Sequence, residues 1–360
     1  MKLSNKDKDN KNNQLSGIKE IARRANVSIA TVDRVIHNRT GIAKKTKEKI
    51  LDIIKELNYQ PNIHARRLAL AKQFRIATLI PQRSKETSYW EGPLKGIDTA
   101  SAEISQYGVV LEKFFYDQDS ISSFQQQSQL VLKSKPDGIL LAPSFIEESV
   151  SFVQKCQKQN IPYVLMDSDL PVEGSLAYIG PQLNASGNLS AHLISYLIGK
   201  NDSILIVNIS KELDGQHHLL KKEEGFRNYF RTHRWDNKIL KININKTDVK
   251  SIEKGLSTVF KENPGIKVVF VTNSRVSNVA AFVKDLDRKV ILVGYDFVNE
   301  NIEYIEKGVI DFLICQKPLE QAYKGVMTIY QHLAASAPVE KVTFMPIDII
   351  TRENYKFYNY

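Results

Sequence analysis

Apolar positions along this chain follow two different rhythms. Between Gly17 and Leu57 they recur every three or four residues, whereas beyond Phe74 short unbroken apolar runs alternate with stretches of helical spacing. In the first region Ile18, Ile21, Ala22 and Ala25 predict a short helix, with Ser16 or Gly17 as N-cap and Glu20 in its first turn. Asn26 and Val27 predict a turn. Ser28 can cap a second helix, IATVDRVIHN, with Val32, Val35 and Ile36 inward and Ile29, Ala30, Asp33, Arg34 and Asn38 outward. A third helix from about Lys44 to Leu57 carries Ile50, Leu51, Ile54 and Leu57 as its apolar stripe. Three short stripes of this kind can close a small core, and the first two helices with their tight turn form a helix-turn-helix.

The second rhythm predicts a different architecture. The runs RIATLIP, VVLEKFFYD, DGILLAP, IPYVLMD, AYIG, SILIVNI, KVVFVT, KVILVGYDF, DFLICQ and FMPIDII read as strands separated by helix-patterned residues. That alternation implies βαβ units and parallel sheets. So many strands exceed one modest sheet, which predicts two doubly wound α/β lobes. The first lobe is expected at about 74–178 plus 317–340, and the second at about 179–316 plus 341–360.

Charge sharpens the division. The chain of 360 residues carries a formal net charge of +10. Residues 1–75 hold 18 Lys and Arg against 7 Asp and Glu, so the whole positive excess lies in the first fifth. A basic module on a near-neutral body is the electrostatic footprint of nucleic-acid binding. Residues 1–16 are rich in Lys, Asn and Asp and predict a flexible basic arm. Residues 17–60 form the expected DNA-binding unit, 61–73 a linker and 74–360 the sensor. No run is long and apolar enough to span a membrane, and the N-terminal stretch lacks an apolar core for export, so a cytoplasmic location is expected. Cys156 and Cys315 lie far apart in the sequence, outside any metal-binding spacing, and are expected as free buried thiols.

The second helix of such a module fits the major groove, where base edges are distinguishable. Arg34 is the expected base reader, bidentate to guanine. Ile29 and Ala30 suit thymine methyls, and Asp33 can accept from cytosine. Thr31, His37, Asn38 and Lys49 are better placed toward phosphate, and Ser28, at the helix start, is counted with the DNA-binding residues. A homodimer follows, because two heads must meet two half-sites of a pseudo-palindromic operator.

The run from Gly17 to Ala69 resembles the N-terminal segment of the LacI/GalR repressor family. It carries the VSIATVDRVIH core, the KTKEKI stretch and the ELNYQPN signature at Glu56–Asn62. The resemblance implies a hinge helix after Pro61 that enters the minor groove, with Asn62, Ala65 and Arg66 at the DNA and Leu68 as the apolar wedge that pries a base step apart.

In the body, ligands of parallel sheets sit beyond strand C-termini, so polar residues just after the apolar runs are the candidates. These are Tyr89 and Trp90, Asp167, Asn273, Asp296 and Gln316, with Lys222 preceding the pair Gly225–Phe226. Carboxylates and amides can hold adjacent hydroxyls while aromatic faces cover a sugar ring, so the set suits a polyol. The order also resembles the ribose-type periplasmic binding proteins and the sensor half of the same repressor family. In that family the positions matching Asp167, Lys222, Asn273, Asp296 and Gln316 hold the ligand. Lys222 and Ser168 both stand where Arg is usual, which removes a bidentate fork.

The resemblance and the charge together predict a repressor whose operator affinity is set by a sugar or sugar derivative. A nucleobase or other polyol sensor is the alternative, and a soluble sugar-binding or enzymatic α/β protein a remoter one. No GxSxG, GxGxxG, P-loop or HExxH is present, and no cofactor or catalytic residue is expected. His192, His217, His218 and His233 match no metal-ligand spacing and are expected on loops or helix surfaces. The tail shows no leucine heptad that would add a tetramerisation helix.

Overall fold

The computed structural model describes residues 18–36, 41–57, 73–84, 87–211, 217–335 and 337–358. The chain divides into two compact units, Met1–Lys72 with Gln331–Val339, and Gln73–Tyr330 with Glu340–Tyr360.

In the first unit α1 (Ile18–Ala25), α2 (Ile29–Ile36) and α3 (Lys44–Glu56) enclose Ile21, Ala22, Ala25, Val32, Val35, Ile50 and Ile53. Asn26 takes a left-handed φ of 56°, and Val27 N donates back to Ala22 O at 3.0 Å, which ends α1. Ser28 Oγ then accepts from Thr31 N at 3.1 Å and starts α2, as a cap should. The stripe of α3 differs from expectation. Ile53 is buried and Leu51 is 45 % exposed, because α1 and α2 meet the face that carries Ile50 and Ile53. Lys49 Nζ donates to Ala25 O at 3.1 Å, so its ammonium satisfies the carbonyl end of α1.

The second unit contains two six-stranded sheets. The first runs β2 (Val109–Tyr116), β1 (Phe74–Pro81), β3 (Gly138–Leu141), β4 (Tyr163–Met166), β5 (Ala177–Gly180) and β11 (Val342–Phe344), with every neighbouring pair parallel. The second runs β7 (Ile239–Ile244), β6 (Ser203–Ile209), β8 (Ile266–Val271), β9 (Ile291–Tyr295), β10 (Phe312–Cys315) and β12 (Asp348–Ile350). Only β12 is antiparallel among the described strands, pairing Leu313 with Ile350.

The sheet order corrects the expected lobe limits. β5 belongs to the first sheet, so the first crossing falls after Gly180 rather than at 178/179. β11 also joins the first sheet, whereas the sequence pattern places residues 341–360 in the second lobe, and only from β12 does the chain return there.

Helices α4 (Glu91–Ser105), α5 (Ile121–Lys133), α6 (Ile146–Lys158) and α12 (Pro318–Ala335) accompany the first sheet. The second has α7 (Leu183–Ser195), α8 (His217–Thr232), α9 (Val249–Glu262), α10 (Val276–Val283) and α11 (Asn299–Glu306). Continuous apolar strands bury both faces: Leu205, Val207 and Val269 pack on one side of the second sheet, while Ile204, Ile206 and Val268 pack on the other. α7 and α8 approach unusually closely. A Cβ on Gly187 would collide with Lys222 O, and one on Gly225 with Asn184 O.

Among the described residues no helix is long and apolar enough to cross a membrane, and no group of three or more His, Cys, Asp and Glu could hold a metal ion. Cys156 and Cys315 are both free and buried.

Candidate ligand pocket and DNA-reading helix

Parallel strands leave their C-terminal ends facing the same edge of a sheet, and in the second unit both sheets present those ends to one cavity of about 60 Å³. All seven expected ligand residues line it: Tyr89, Trp90, Asp167, Lys222, Asn273, Asp296 and Gln316. Asp167 follows β4 with φ 66° and Asp296 follows β9 with φ 71°. Left-handed backbone at both strand ends turns the chain sharply and aims each carboxylate inward. Aspartate accepts that conformation more readily than most residues.

The first sheet supplies a carboxylate braced by an aromatic pair. Tyr89 Oη donates to Asp167 Oδ1 at 2.5 Å, and Trp90 Nε1 donates to Gln118 Oε1 at 3.0 Å. The two rings meet edge to face at 5.1 Å. The second sheet supplies amides and a second carboxylate. Gln316 Nε2 donates to Asp296 Oδ1 at 3.2 Å, while Gln316 Oε1 is buried without a hydrogen-bond partner among the described residues. A buried carbonyl oxygen left over in this way is an acceptor available to a ligand donor. Asn273 Nδ2 donates to Ile209 O at 2.8 Å, which holds the β8 loop against the end of β6.

Lys222 is 3 % exposed and its Nζ lies 3.8 Å from the centroid of the Tyr295 ring. Burial pulls its pKa down, against the opposing pull of Asp296 and Asp167. Burial pushes Asp296 up to about 7, with Asp167 adding to the rise and Lys222 and Gln316 opposing it. Burial likewise raises Asp167, opposed by Lys222 and by the Tyr89 hydroxyl. Two carboxylates therefore share one ammonium in a desolvated space, an arrangement able to hold ligand hydroxyls by charge-assisted bonds.

Several lining residues escaped the sequence reading. Gln118 and Asp119 follow β2, Ser144 follows β3 and Ser210 follows β6, so the strand-end rule could have found them. His218, expected on a surface or loop, instead lines the cavity. It stands four residues before Lys222 on α8, and i, i+4 residues share a helix face. Burial, then the positive neighbours Lys222, His217 and Arg275, push its pKa down to about 3. Arg275, 5 % exposed, donates from Nη1 to Ile209 O at 3.1 Å. Asn301 lies behind the wall, fully buried. Its Nδ2 lies 3.0 Å from each of Ser274 O, Tyr295 O and Asp296 O, and its Oδ1 accepts from Ser277 N at 3.1 Å.

The two lobes also touch directly. Thr87 Oγ1 and Ser274 Oγ are 3.0 Å apart. Ser88 donates to both carboxylate oxygens of Glu300, at 2.9 Å from N and 2.7 Å from Oγ. Asp119 pairs with Lys211 at 3.2 Å, and His217 meets Asp169 at 3.1 Å.

In the first unit, Ser28, Ile29, Ala30 and Arg34 are exposed, while Thr31 and Asp33 are half-buried. Ile29 exposes 46 % of its surface, an apolar side chain presented outward from a helix start. Thr31 Oγ1 is 2.9 Å from Ser28 Oγ, so its hydroxyl is engaged in the cap. Gly41, with φ 95°, lies beside the Arg34 guanidinium. The expected positions His37, Asn38, Asn62, Ala65, Arg66 and Leu68 lie outside the described residues, as do the basic arm and the caps Ser16 and Gly17.

Comparison with known proteins agrees with both halves. Residues 76–337 match the periplasmic binding protein domain, and residues 17–62 match the bacterial regulatory proteins of the lacI family. The chain belongs to the lacI family of regulators. MalR, an HTH-type transcriptional regulator of Streptococcus pneumoniae, is 24% identical over 90% of this chain and 99% of its own length. ExuR of Bacillus subtilis, described as a probable HTH-type transcriptional repressor, is 32% identical over 42% of this chain and only 43% of its own length. A crystal structure described as a LacI transcriptional regulator from Bacteroides fragilis superposes with a TM-score of 0.75 at 28% identity, covering 80% of this chain and 100% of that one. As a lacI-family member the chain joins a DNA-binding helical head to a two-lobed α/β sensor, and the family is one of DNA-binding regulators rather than enzymes.

Proposed function

We propose that this lacI-family regulator is a cytoplasmic repressor, acting as a homodimer on a pseudo-palindromic operator, and that a small polyhydroxylated ligand between its lobes sets its DNA affinity. The single observation that supports this most is the convergence of Asp167, Lys222, Asn273, Asp296 and Gln316, from separate elements of both sheets, on one polar cavity. Buried carboxylates and amides flanked by Tyr89 and Trp90 are what a polyol with a hydrophobic ring face requires. The cavity of about 60 Å³ is far below the roughly 300 Å³ at which ligand pockets begin. Ligand entry therefore requires the lobes to part at the Thr87–Ser274 and Ser88–Glu300 contacts. Binding is coupled to DNA affinity by the difference in ligand affinity between lobe arrangements.

At the DNA, Arg34 reads guanine bidentately, Ile29 and Ala30 meet thymine methyls, and Asp33 accepts from cytosine. Ser28, Thr31, His37 and Asn38 face the backbone, and Asn62, Ala65, Arg66 and Leu68 engage the minor groove. The test is a thermal-shift screen of the protein against sugars, sugar derivatives and nucleobases, followed by operator binding of Asp296→Ala and Asn273→Ala. Both variants are expected to lose the ligand response. A retained response in both refutes the pocket, and stabilisation by nucleobases alone refutes the polyol.

A further inference from the structure

Gln321 does not line the cavity, yet it joins two residues that do. It lies in the first turn of α12 and is 0 % exposed. Its Oε1 accepts from Asp167 N at 3.0 Å, and its Nε2 donates to Gln316 O at 2.7 Å. Asp167 follows β4 of the first sheet, whereas Gln316 follows β10 of the second. One buried amide therefore spans the point where the chain crosses between the lobes, and it holds main chain on both sides.

Both peptide groups sit beside unusual backbone. Asp167, with φ 66°, is the middle of a three-residue turn that Ser168 N closes onto Met166 O at 2.7 Å. Lys317, which follows Gln316 O directly, has φ 53°. Residues other than glycine keep such backbone only where their surroundings over-determine it. Gln321 supplies a bond to each, and its own backbone amide donates to Lys317 O at 3.1 Å, which fixes it in the first turn of α12. Hydrogen bonds then continue into the pocket on either side. Tyr89 Oη donates to the Asp167 carboxylate, and Gln316 Nε2 donates to Asp296 Oδ1 at 3.2 Å.

We propose that Gln321 is a positioning residue that stabilises the closed arrangement of the lobes, because its bridge is complete only while Asp167 N and Gln316 O stand within reach of one amide. The two pocket carboxylates are thereby spaced by a side chain that touches no ligand. Only the consequence for binding rests on the pocket reading above; the bridge itself does not. An apolar side chain in its place leaves Asp167 N and Gln316 O buried and unpaired, and parting the lobes is the way for them to reach water.

The experiment is residue-resolved hydrogen exchange of the full chain, comparing the parent with Gln321→Leu and Gln321→Glu at about pH 5 and about pH 9, below and above the range of a buried carboxyl. Three amides are read. Asp167 N reports the bridge; Ser88 N, which donates to Glu300 Oε1 at 2.9 Å, reports the contact between lobes; Ile206, fully buried within β6, reports unfolding of the body. In Gln321→Leu the Asp167 and Ser88 amides should exchange about tenfold faster than in the parent while Ile206 is unchanged. In Gln321→Glu the acid form accepts from Asp167 N and donates to Gln316 O as the amide does, whereas the ionised form sets an acceptor against that carbonyl. Both amides should therefore match the parent at the lower pH and approach the leucine variant at the higher. A Ser88 amide unaffected in Gln321→Leu overturns the proposal, as does one that quickens only together with Ile206. Exchange in Gln321→Glu as fast at the lower pH as in Gln321→Leu also overturns it, since shape and not hydrogen bonding would then matter. Should the leucine variant not fold, the glutamate variant decides alone: a Ser88 rate that bears the same ratio to the parent at both pH values refutes the bridge. No ligand enters the measurement, so a chain that binds no polyol still gives an answer and the two readings fail separately.

Discussion

Replacing Asn301 by alanine tests whether the pocket wall is held by one side chain. Asn301 is 0 % exposed and bonds the carbonyls of Ser274, Tyr295 and Asp296 and the amide of Ser277. Its two amide protons and one carbonyl supply about three full hydrogen bonds. At about 1 kcal/mol net apiece the truncation costs about 3 kcal/mol, and more if the abandoned backbone groups stay dry. For a body of this size about 1 kcal/mol moves Tm by roughly 2–4 °C, so a fall of roughly 6–12 °C is expected. The chain's two tryptophans are Trp90 and Trp235, one beside each sheet, so fluorescence during urea unfolding reports the body directly. Because Asn301 bonds next to both Arg275 and Asp296, ligand affinity should fall with stability. A loss below about 1 kcal/mol would mean that the β8 and β9 loops hold themselves, and the reasoning fails.

Three further outcomes follow from particular contacts. Burial raises the Asp296 carboxyl from 3.8 to about 7, so between those values the folded chain keeps a proton that the unfolded chain releases. Stability therefore falls as pH rises through that window, and Asp296→Asn should be more stable than the parent at pH 8, by up to about 4 kcal/mol, but no more stable below the window. Denaturant midpoints at the two pH values check this, and a pH-independent difference contradicts it. Ser28→Ala removes the cap on Thr31 N, which costs about 1 kcal/mol and should speed hydrogen exchange of the α2 amides about fivefold; unchanged exchange refutes the cap. Gly187→Ala drives a methyl into Lys222 O and should lower stability by about 1–3 kcal/mol while weakening ligand binding through α8. Loss of stability with ligand affinity intact would show that α8 does not transmit the strain to the pocket.

Much of this was legible because burial leaves a repeating mark. The strands that form the interiors of both sheets are unbroken apolar runs, and the residues after them carry the site, so Asp167, Asn273, Asp296 and Gln316 could be named from position alone. β7 and β11 were missed for the opposite reason. Both are edge strands: in ILKINI a lysine interrupts the run, and VTF is three residues long with Val342 and Phe344 exposed. Their pairing is decided by neighbours far away in sequence, which no local pattern records. Leu51 and Ile53 exchanged roles because a helix stripe is wide enough to admit two rotations, and only the facing helices choose between them. Arg275 was passed over because a buried guanidinium inside VTNSRVSNV looks like any helix-start residue until the fold shows what it faces.

The polypeptide passes between the two sheets three times, after Gly180, after Cys315 and between Phe344 and Asp348. Three covalent tethers restrict what a single linker would leave free: each lobe can swing against the other, but independent twisting or sliding would stretch at least one of them. Whatever occupies the cavity is thus translated into little more than the value of one angle, and a molecule that must pass a binding event to distant DNA gains from having so few ways to lose it.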